Sequence, residues 1–246
     1  MNIYAWTRAW ALDEGLKLWA EERVESTNSV AKDDASPITL PVLDRGEDVS
    51  APTLYLANHQ SGGRGRGDHV WTTPPGSLLS SWSFALARVP QPIFSPLAGL
   101  ALFEAALETW PEIAFNLKAP NDLFIDKKKV AGILIETIDR GPTRHTVVGV
   151  GLNVTASPPE IETATSITDH LKTPLTEATW RRFLSAWASR LREALHSGQR
   201  DGLSPSACER LKGALNRHPL LREPILEVDE RGQLRSSSRV IYWHEL

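Results

Sequence analysis

Apolar runs interrupted by Gly, Pro, Asp and Asn divide this chain into several strand-like segments and two long helical ones. TLYLANHQ (53–60) and LLSSWSFAL (78–86) carry alternating or β-rich apolar character and predict two strands that bracket a glycine-rich loop. SPLAGLALFEAALETW (95–110) is rich in Ala and Leu, opens on Ser95-Pro96, and predicts a helix with proline at its first position. Apolar residues nearly encircle that helix, so it is expected to be buried. AFNLK (114–118), LFID (123–126), KVAGILIET (129–137) and HTVVGVGLNV (145–154) are separated by the polar turns DKKK and DRGPTR and predict an antiparallel meander. In 179–196, Trp180, Phe183, Leu184, Trp187, Leu191 and Leu195 recur at helical spacing, while Arg181, Arg182, Arg190 and Arg192 mostly take the other face. A strand-rich centre with segregated helices predicts an α+β fold, a central mixed or antiparallel sheet flanked by helices.

Two segments lack such a pattern. KDDASPITLPVLDRGEDVSAP (32–52) mixes Pro, Gly and acids and is expected to be an exposed loop. TASPPEIETATS (155–166) is expected to be a connection able to order around a ligand. After a polar break at 197–206 the tail has one hairpin signal, Asp229-Glu230-Arg231-Gly232, flanked by β-type residues. That makes a β unit too small to bury much core alone. The expected division is a main domain over 1–200 and a reduced C-terminal β unit over 201–246. No internal repeat is found.

Composition narrows the function classes. The 246 residues are 41% hydrophobic and 23% charged, an ordinary globular balance. A net charge of -3 gives no global field favouring a polyanion, so nucleic acid is not an expected partner and any anion site must be local. Cys208 is the one cysteine, which excludes an internal disulfide framework and a cysteine-built zinc site. The histidines show no HExxH spacing, so no protein-built metal site is expected. The opening MNIYAWTRAW lacks a basic stretch followed by an apolar core, and Pro74, Pro75, Pro90, Pro92 and Pro96 interrupt the longest charge-free runs. The expectation is a cytoplasmic protein without a membrane partner. Most of the nine tryptophans are expected to serve packing, and some to line a ligand pocket. GxxxxGK[ST] and GxSxG are absent, and GVGLNV has Val154 where a third glycine of a dinucleotide fingerprint belongs.

What remains is a set of cations beside flexible glycines: Arg64 and Arg66 in SGGRGRGDHVW (61–71), Lys118 in LKAPND (117–122), and Lys129 on a hairpin. Pro120 keeps Ala119 out of the helical region, so Lys118 is expected at a stiff strand-to-turn corner. Singly, each motif has a plainer reading. Asn121-Asp122 can be only a turn, KKKVAG a solvated hairpin tip, and Ser26 to Asn28 a helix N-cap. Together they suit chemistry that joins two anions. A carboxylate and a phosphate about 4 Å apart repel by roughly 4 kcal/mol at an effective dielectric near 20. Cations and the N–H groups of glycine-rich turns can offset that repulsion.

The motifs ESTN (25–28), QSGGRGR (60–66) with Trp71, KAPND (118–122), KVAGILIE (129–136), GVGLNV (149–154) and ATSI (164–167) occur in an order that resembles the biotin–protein ligases. The resemblance implies a class II synthetase-like catalytic domain over 1–200 with a shortened C-terminal β unit. It implies ATP-dependent activation of biotin as biotinyl-5′-AMP, assisted by Mg²⁺, and transfer to a lysine of a biotin carboxyl carrier domain. Ser26, Thr27 and Asn28 would contact the biotin head group, with Gln60 lining the same pocket. Gly63, Arg64, Gly65, Arg66 and Trp71 would belong to the loop that folds over biotin and the adenylate. Lys118 would hold the biotin carboxylate and the reacting phosphate, with Arg66 as the second catalytic cation. Asn121, Asp122, Lys129, Gly132 and Asn153 would lie near the nucleotide. The stretch before Glu25 is too short for a winged helix-turn-helix, which implies the form without a DNA-binding domain; a homodimer is left open. The chain departs from the family pattern at Ala119, where tryptophan is usual, and at Asp68 and His69, where the loop usually carries glycine and arginine. Weaker retention of the adenylate is the implied consequence. Two alternatives stay open, a lipoate or octanoate ligase on the same fold and a non-catalytic biotin-binding homologue.

Overall fold

The computed structural model describes residues 2–35, 51–86, 89–141 and 143–246. In chain order the elements are α1 (Ile3–Asp13), β1 (Lys17–Val24), α2 (Thr27–Asp34), β2 (Thr53–Gln60), β3 (Leu78–Leu86), α3 (Phe94–Thr109), β4 (Phe115–Lys118), β5 (Asp122–Ile125), β6 (Lys128–Arg140), β7 (Thr143–Leu152), α4 (Glu177–Gly198), α5 (Pro205–Leu215), β8 (Glu227–Val228), β9 (Leu234–Arg235) and β10 (Val240–Ile241). Two compact units form: Met1–Val89 with Ala131–Arg181, and Pro90–Val130 with Arg182–Leu246.

In the first unit β1, β2, β3, β7 and β6 lie side by side in that order. β1 runs parallel to β2, and the remaining neighbours are antiparallel, which makes the sheet mixed. β3 is buried along its whole length, so both of its faces are covered. The alternation of side chains along a strand shows by what. Trp82 points to α1, where its ring centroid lies 6.1 Å from that of Trp10. Its neighbour Ser81 points the other way and bonds to Thr27 and Asn28 of α2. Helices therefore flank both faces of the sheet, in agreement with the α+β expectation. Tyr55 closes the lower end of α2 by donating to Asp34 at 2.6 Å, and burial followed by the Asp34 carboxylate raises the phenol's pKa.

Three elements carry signals that the periodicity reading passes over. α1 is capped by Asn2, which accepts from Ala5 N at 2.9 Å, but its buried face includes Thr7, which breaks the apolar stripe. Thr7 is satisfied inside the unit, donating to Ile3 O at 2.8 Å and accepting from Trp180 Nε1 at 2.9 Å. β1 is an edge strand with Glu21, Glu22 and Arg23 exposed, so apolar alternation is lost over its second half. α5 opens on Ser204-Pro205, where Ser204 Oγ accepts from Ala207 N at 3.2 Å, the N-cap and first-position proline pattern. The segment read as a loop over 32–52 is corrected at its start, because Lys32 to Asp34 complete α2; its residues 36–50 lie outside the described residues. α3 likewise begins at Phe94, which places Pro96 at its third position instead of its first.

The second unit contains α3, the β4–β5 hairpin, α4 beyond Arg181, α5 and the three-stranded sheet β10-β9-β8. α3 is buried almost all round, as its composition predicts. Arg190 forks to Glu104 at 2.8 Å and Glu108 at 2.7 Å, tying α4 to α3. The expected hairpin turn is present. Asp229 Oδ1 accepts from Arg231 N and Gln233 N at 2.9 and 2.8 Å, and Gly232 takes φ +74°. Residues 201–246 hold a helix as well as strands, since α5 packs on α3, β4 and β8. Among the described residues no helix is long and apolar enough to cross a membrane.

One close approach in this unit sets the corner that follows β4. A Cβ added to Gly99 of α3 would stand 2.9 Å from Leu117 Cδ1 and 3.0 Å from Pro120 O. Replacing helical glycine by alanine ordinarily gains about 1 kcal/mol. Here the backbone oxygen cannot yield cheaply, and overpacking costs about 1–3 kcal/mol. Gly99→Ala is expected to lower the urea midpoint of unfolding; an unchanged or higher midpoint would show that the helix and corner are not in fixed contact.

Candidate functional site

The polar side chains of the first unit converge where α2 begins. Ser26 is the extended residue before α2 and makes no side-chain cap bond, so its buried hydroxyl is not used for the cap role that its position suggests. Thr27 donates from its backbone N to Gln60 Oε1 at 2.6 Å, and its hydroxyl lies 3.0 Å from the same oxygen. Ser81 Oγ lies 2.7 Å from Thr27 Oγ1 and 2.6 Å from Asn28 Oδ1. Asn28 Nδ2 donates to Glu136 Oε2 at 2.8 Å and to Leu134 O at 3.3 Å. Lys32 Nζ reaches the other oxygen of Glu136 at 2.7 Å, and Arg64 Nη2 reaches Oε2 at 3.1 Å. A row of groups thus runs from Gln60 through Thr27, Ser81 and Asn28 to one carboxylate that receives two cations.

Proton counting makes the row informative. Its three oxygen–oxygen contacts are Gln60 to Thr27, Thr27 to Ser81, and Ser81 to Asn28. Gln60 Oε1 and Asn28 Oδ1 are pure acceptors, because the Thr27 N–H and the Glu136 carboxylate fix their orientations. Only the two hydroxyl protons are shared among three contacts, so the row is rich in acceptors by one donor. Burial works to raise the pKa of Glu136, but the Lys32 and Asn28 hydrogen bonds and the nearby Arg64 outweigh it and hold the carboxyl below its ordinary value.

The glycine-rich loop is a small hairpin in its own right. Ser61 N and Gly62 N donate to Val24 O and Glu25 O at 2.9 and 2.8 Å, tying its root to the start of α2. Arg64 bridges Val70, Trp71 N donates to Gly63 O at 2.9 Å, and Gly65 N donates to His69 O at 2.7 Å. Gly67, at φ +60°, makes the turn, and Arg66, Asp68 and His69 are exposed around it. Gly149 and Gly151 on β7 are needed for close approach: a Cβ on the first would collide with the Asn28 amide, and on the second with the Trp71 indole. Gly132 pairs with Gly151 across β6 and β7. Asn153 donates to Thr165 O at 3.1 Å, while its buried Oδ1 has no hydrogen-bond partner.

The structure thus brings Ser26, Thr27, Asn28, Gln60, Arg64, Trp71, Gly132 and Asn153 into one unit, and Lys118, Asn121, Asp122 and Lys129 belong to the other. In that second unit Lys118 ends β4 opposite Asp122 of β5. Its ammonium lies 5.6 Å from the Phe124 ring centroid, within cation–π range. Lys129 pairs with Asp122 Oδ2 at 2.8 Å, and Asp122 Oδ1 is buried without a hydrogen-bond partner. Asn121 is buried at the corner itself. Sequence reasoning missed Lys32, Ser81 and Glu136. Ser81 had a signal, a hydroxyl inside a strand otherwise fit for a core, and Glu136 another, an acid closing an apolar run.

Residues 22–153 match the family model described as Biotin/lipoate A/B protein ligase family. Among curated proteins, the chain is 34% identical over 143 residues to the biotin–[acetyl-CoA-carboxylase] ligase of Paracoccus denitrificans, covering 55% of this chain and 54% of the relative. It is 30% identical over 203 residues to the bifunctional ligase/repressor BirA of Escherichia coli K12, covering 75% of this chain and 62% of that protein. In both cases the match spans less than two thirds of the relative's own length. Among solved structures, the biotin protein ligase from Aquifex aeolicus in complex with biotin and ATP superposes with a TM-score of 0.66 at 25% identity, over 92% of this chain and 95% of that one.

Because the Glu136 carboxyl is held below 4.5, its contribution to stability is full above that pH and is lost as pH falls through the lowered value. The stability difference between the natural protein and Glu136→Gln is therefore expected to be larger at pH 7 than at pH 3 in urea titrations. A difference that does not change with pH would show that the carboxylate charge is not what these partners stabilise.

Proposed function

The chain belongs to the Biotin/lipoate A/B protein ligase family, and from that premise we propose that it is an ATP-dependent biotin–protein ligase. The observation that carries the reading is the acceptor-rich row Gln60–Thr27–Ser81–Asn28, joined through Glu136 to Arg64 of the glycine loop. A ureido ring brings N–H donors, the group that the row lacks, together with a carbonyl that can accept. Arg64 and Lys32 share a single carboxylate, so the cluster keeps an excess positive charge that suits the arrival of an anion. The relatives named for biotin ligation support the same reading.

In the proposed reaction a biotin carboxylate oxygen attacks the α-phosphorus of ATP, the bond to the β-phosphate oxygen breaks, and pyrophosphate leaves. A lysine amine of a carboxyl carrier domain then attacks the acyl carbon, AMP leaves, and the amine loses a proton. Ser26, Thr27, Asn28 and Gln60 are assigned to the head group, and Gly63, Arg64, Gly65, Arg66 and Trp71 to the covering loop. Lys118 is assigned to the carboxylate and phosphate charge, and Asn121, Asp122, Lys129, Gly132 and Asn153 to the nucleotide. The orphan Oδ1 of Asn153 would suit a donor such as an exocyclic amine. Mg²⁺ would enter with the triphosphate, an ion that commonly keeps waters and uses one or two carboxylates. Among the described residues no three His, Cys, Asp or Glu side chains group as a ready ligand set, while Asp122 Oδ1 could supply one oxygen.

Two measurements test the proposal. Purified protein with biotin, ATP and Mg²⁺ is expected to release pyrophosphate and to label a carrier domain; release no greater than without biotin, or equal release with lipoate, would overturn it. Lys118→Ala is expected to slow adenylation about 10²-fold, the scale of losing one preorganised charge at a reacting centre. Lys127→Ala, on the exposed hairpin tip, is expected to change the rate less than about twofold, within the range of surface substitutions. Equal effects would remove the special role of Lys118.

A further inference from the structure

His218 lies far from Lys118 in sequence, yet the second unit places it deliberately. Past the end of α5, Asn216 donates to Ile225 O at 2.7 Å and accepts from Ile225 N at 2.8 Å, which closes 217–224 into a loop. Inside that loop His218 N donates to Leu215 O, and His218 O accepts from Leu221 N, each at 3.1 Å. His218 is only 7% exposed. It meets the β4–β5 hairpin on the face that carries Asn116, Lys118 and Phe124. Asn116 and Lys118 share that face because they are two residues apart on β4, and Phe124 stands directly opposite Asn116.

The contacts fix the chemistry of the ring. Asn116 Nδ2 donates to Asp126 O at 2.8 Å, so Asn116 Oδ1 must be the atom facing His218. That oxygen can only accept, and it lies 2.5 Å from His218 Nδ1; the proton therefore sits on Nδ1 and leaves a lone pair on Nε2. The imidazole also meets Phe124 edge to face, with centroids 5.4 Å apart and planes at 72°. The Lys118 ammonium lies 5.6 Å from the centroid of this same Phe124 ring. Phe124 is thus the shared neighbour of a histidine and of the lysine assigned to the reaction.

We propose that His218 is a positioning residue for Lys118: fixed by Asn116 in its Nδ1–H form, it holds Phe124 as the seat of the ammonium, and it does so only while uncharged. The inference rests on the reaction proposed for this chain, because it gives Lys118 a place to be held in. A second proton on the ring would put two cations about one phenyl ring, where they repel each other. Among the described residues Lys118 is the charge that acts on the ring, and Glu223 of the same loop is paired with Arg239. On α3, Glu104 and Glu108 are engaged by Arg190, and Glu104 by Arg210 as well; on α5, Glu209 pairs with Lys212; Arg217 of the same loop lies over Phe103. Asp122, opposite Lys118 on β5, is paired with Lys129. Burial, and then the Lys118 charge, hold His218 below its ordinary 6.5. The ring is therefore largely neutral at pH 7 and gains its proton as pH falls below 6.5.

The test has two arms. Biotin-dependent ATP–pyrophosphate exchange is followed from pH 8 to pH 5 for the natural protein and for His218→Asn, which keeps an amide N–H for Asn116 and cannot titrate. The ratio of variant to natural rate is expected to rise about threefold or more between pH 7 and pH 5, as the natural ring takes up its proton; a constant ratio overturns the proposal. Separately, the His218 Cε1–H resonance is titrated by NMR in the natural protein and in Lys118→Met. The midpoint is expected to move up when the lysine charge is removed, and an unmoved midpoint also overturns the proposal. If the natural protein shows no exchange at any pH, the ligase reading fails, and the NMR titration still decides the His218–Lys118 coupling. The NMR arm decides it as well if His218→Asn does not fold.

Discussion

The partly buried carboxylate of Glu136 is the constraint around which the first unit's polar side chains are arranged. A charge taken out of water must be paired and hydrogen-bonded, or it costs several kcal/mol. Lys32 and Asn28 from α2 and Arg64 from the glycine loop meet that requirement, and each partner then fixes something else. Turning Nδ2 of Asn28 toward Glu136 points its Oδ1 at Ser81, which orders Thr27 and through it Gln60 at the end of β2. The same Asn28 amide fills the space where a side chain on Gly149 would stand. One acid on β6 therefore sets the face that α2 presents, the orientation of two amides, and the resting place of a loop arginine.

The loop's own geometry explains why the sequence puts cations on glycines there. Arg64 must leave the strand-like ladder with its side chain toward Glu136, while the turn beyond it needs a positive φ at Gly67. Gly63 sits where the Trp71 backbone crosses it, and Gly65 where His69 does. Backbone bonds close the hairpin, so Asp68 and His69 in place of glycine and arginine leave those bonds intact. Those two positions alter charge at an exposed turn, not the path of the chain.

What could be read from the sequence follows from what each element buries. β3 and most of α3 and β7 are buried, and their largely apolar sequences announce them. α1 hides a threonine in its buried face, β1 is polar along an edge, and α5 is short, so hydrophobic periodicity passes over all three. Ser26, Thr27, Asn28, Gln60 and Arg64 were legible because a motif order marked them, but the motif does not say that Ser81 and Glu136 connect them. Pairs such as Asn28 with Glu136, or His218 with Asn116, join residues about a hundred positions apart. Their meaning exists only once the strands are in register.

The proton shortage along Gln60, Thr27, Ser81 and Asn28 also bears on which ring the row would accept. Two hydroxyl protons cannot serve three oxygen contacts, so one buried contact is left as two lone pairs facing each other. Leaving a buried acceptor unmet costs about 1–3 kcal/mol. A ligand N–H placed against Ser81, Thr27 or Asn28 would recover that cost and add a bond of its own. A ureido ring has such donors, whereas a dithiolane ring has none and would bury the shortage under sulfur. Under the proposed reading, a preference for a ring with N–H groups would come from this shortage, which a ureido head group would meet and a dithiolane would not.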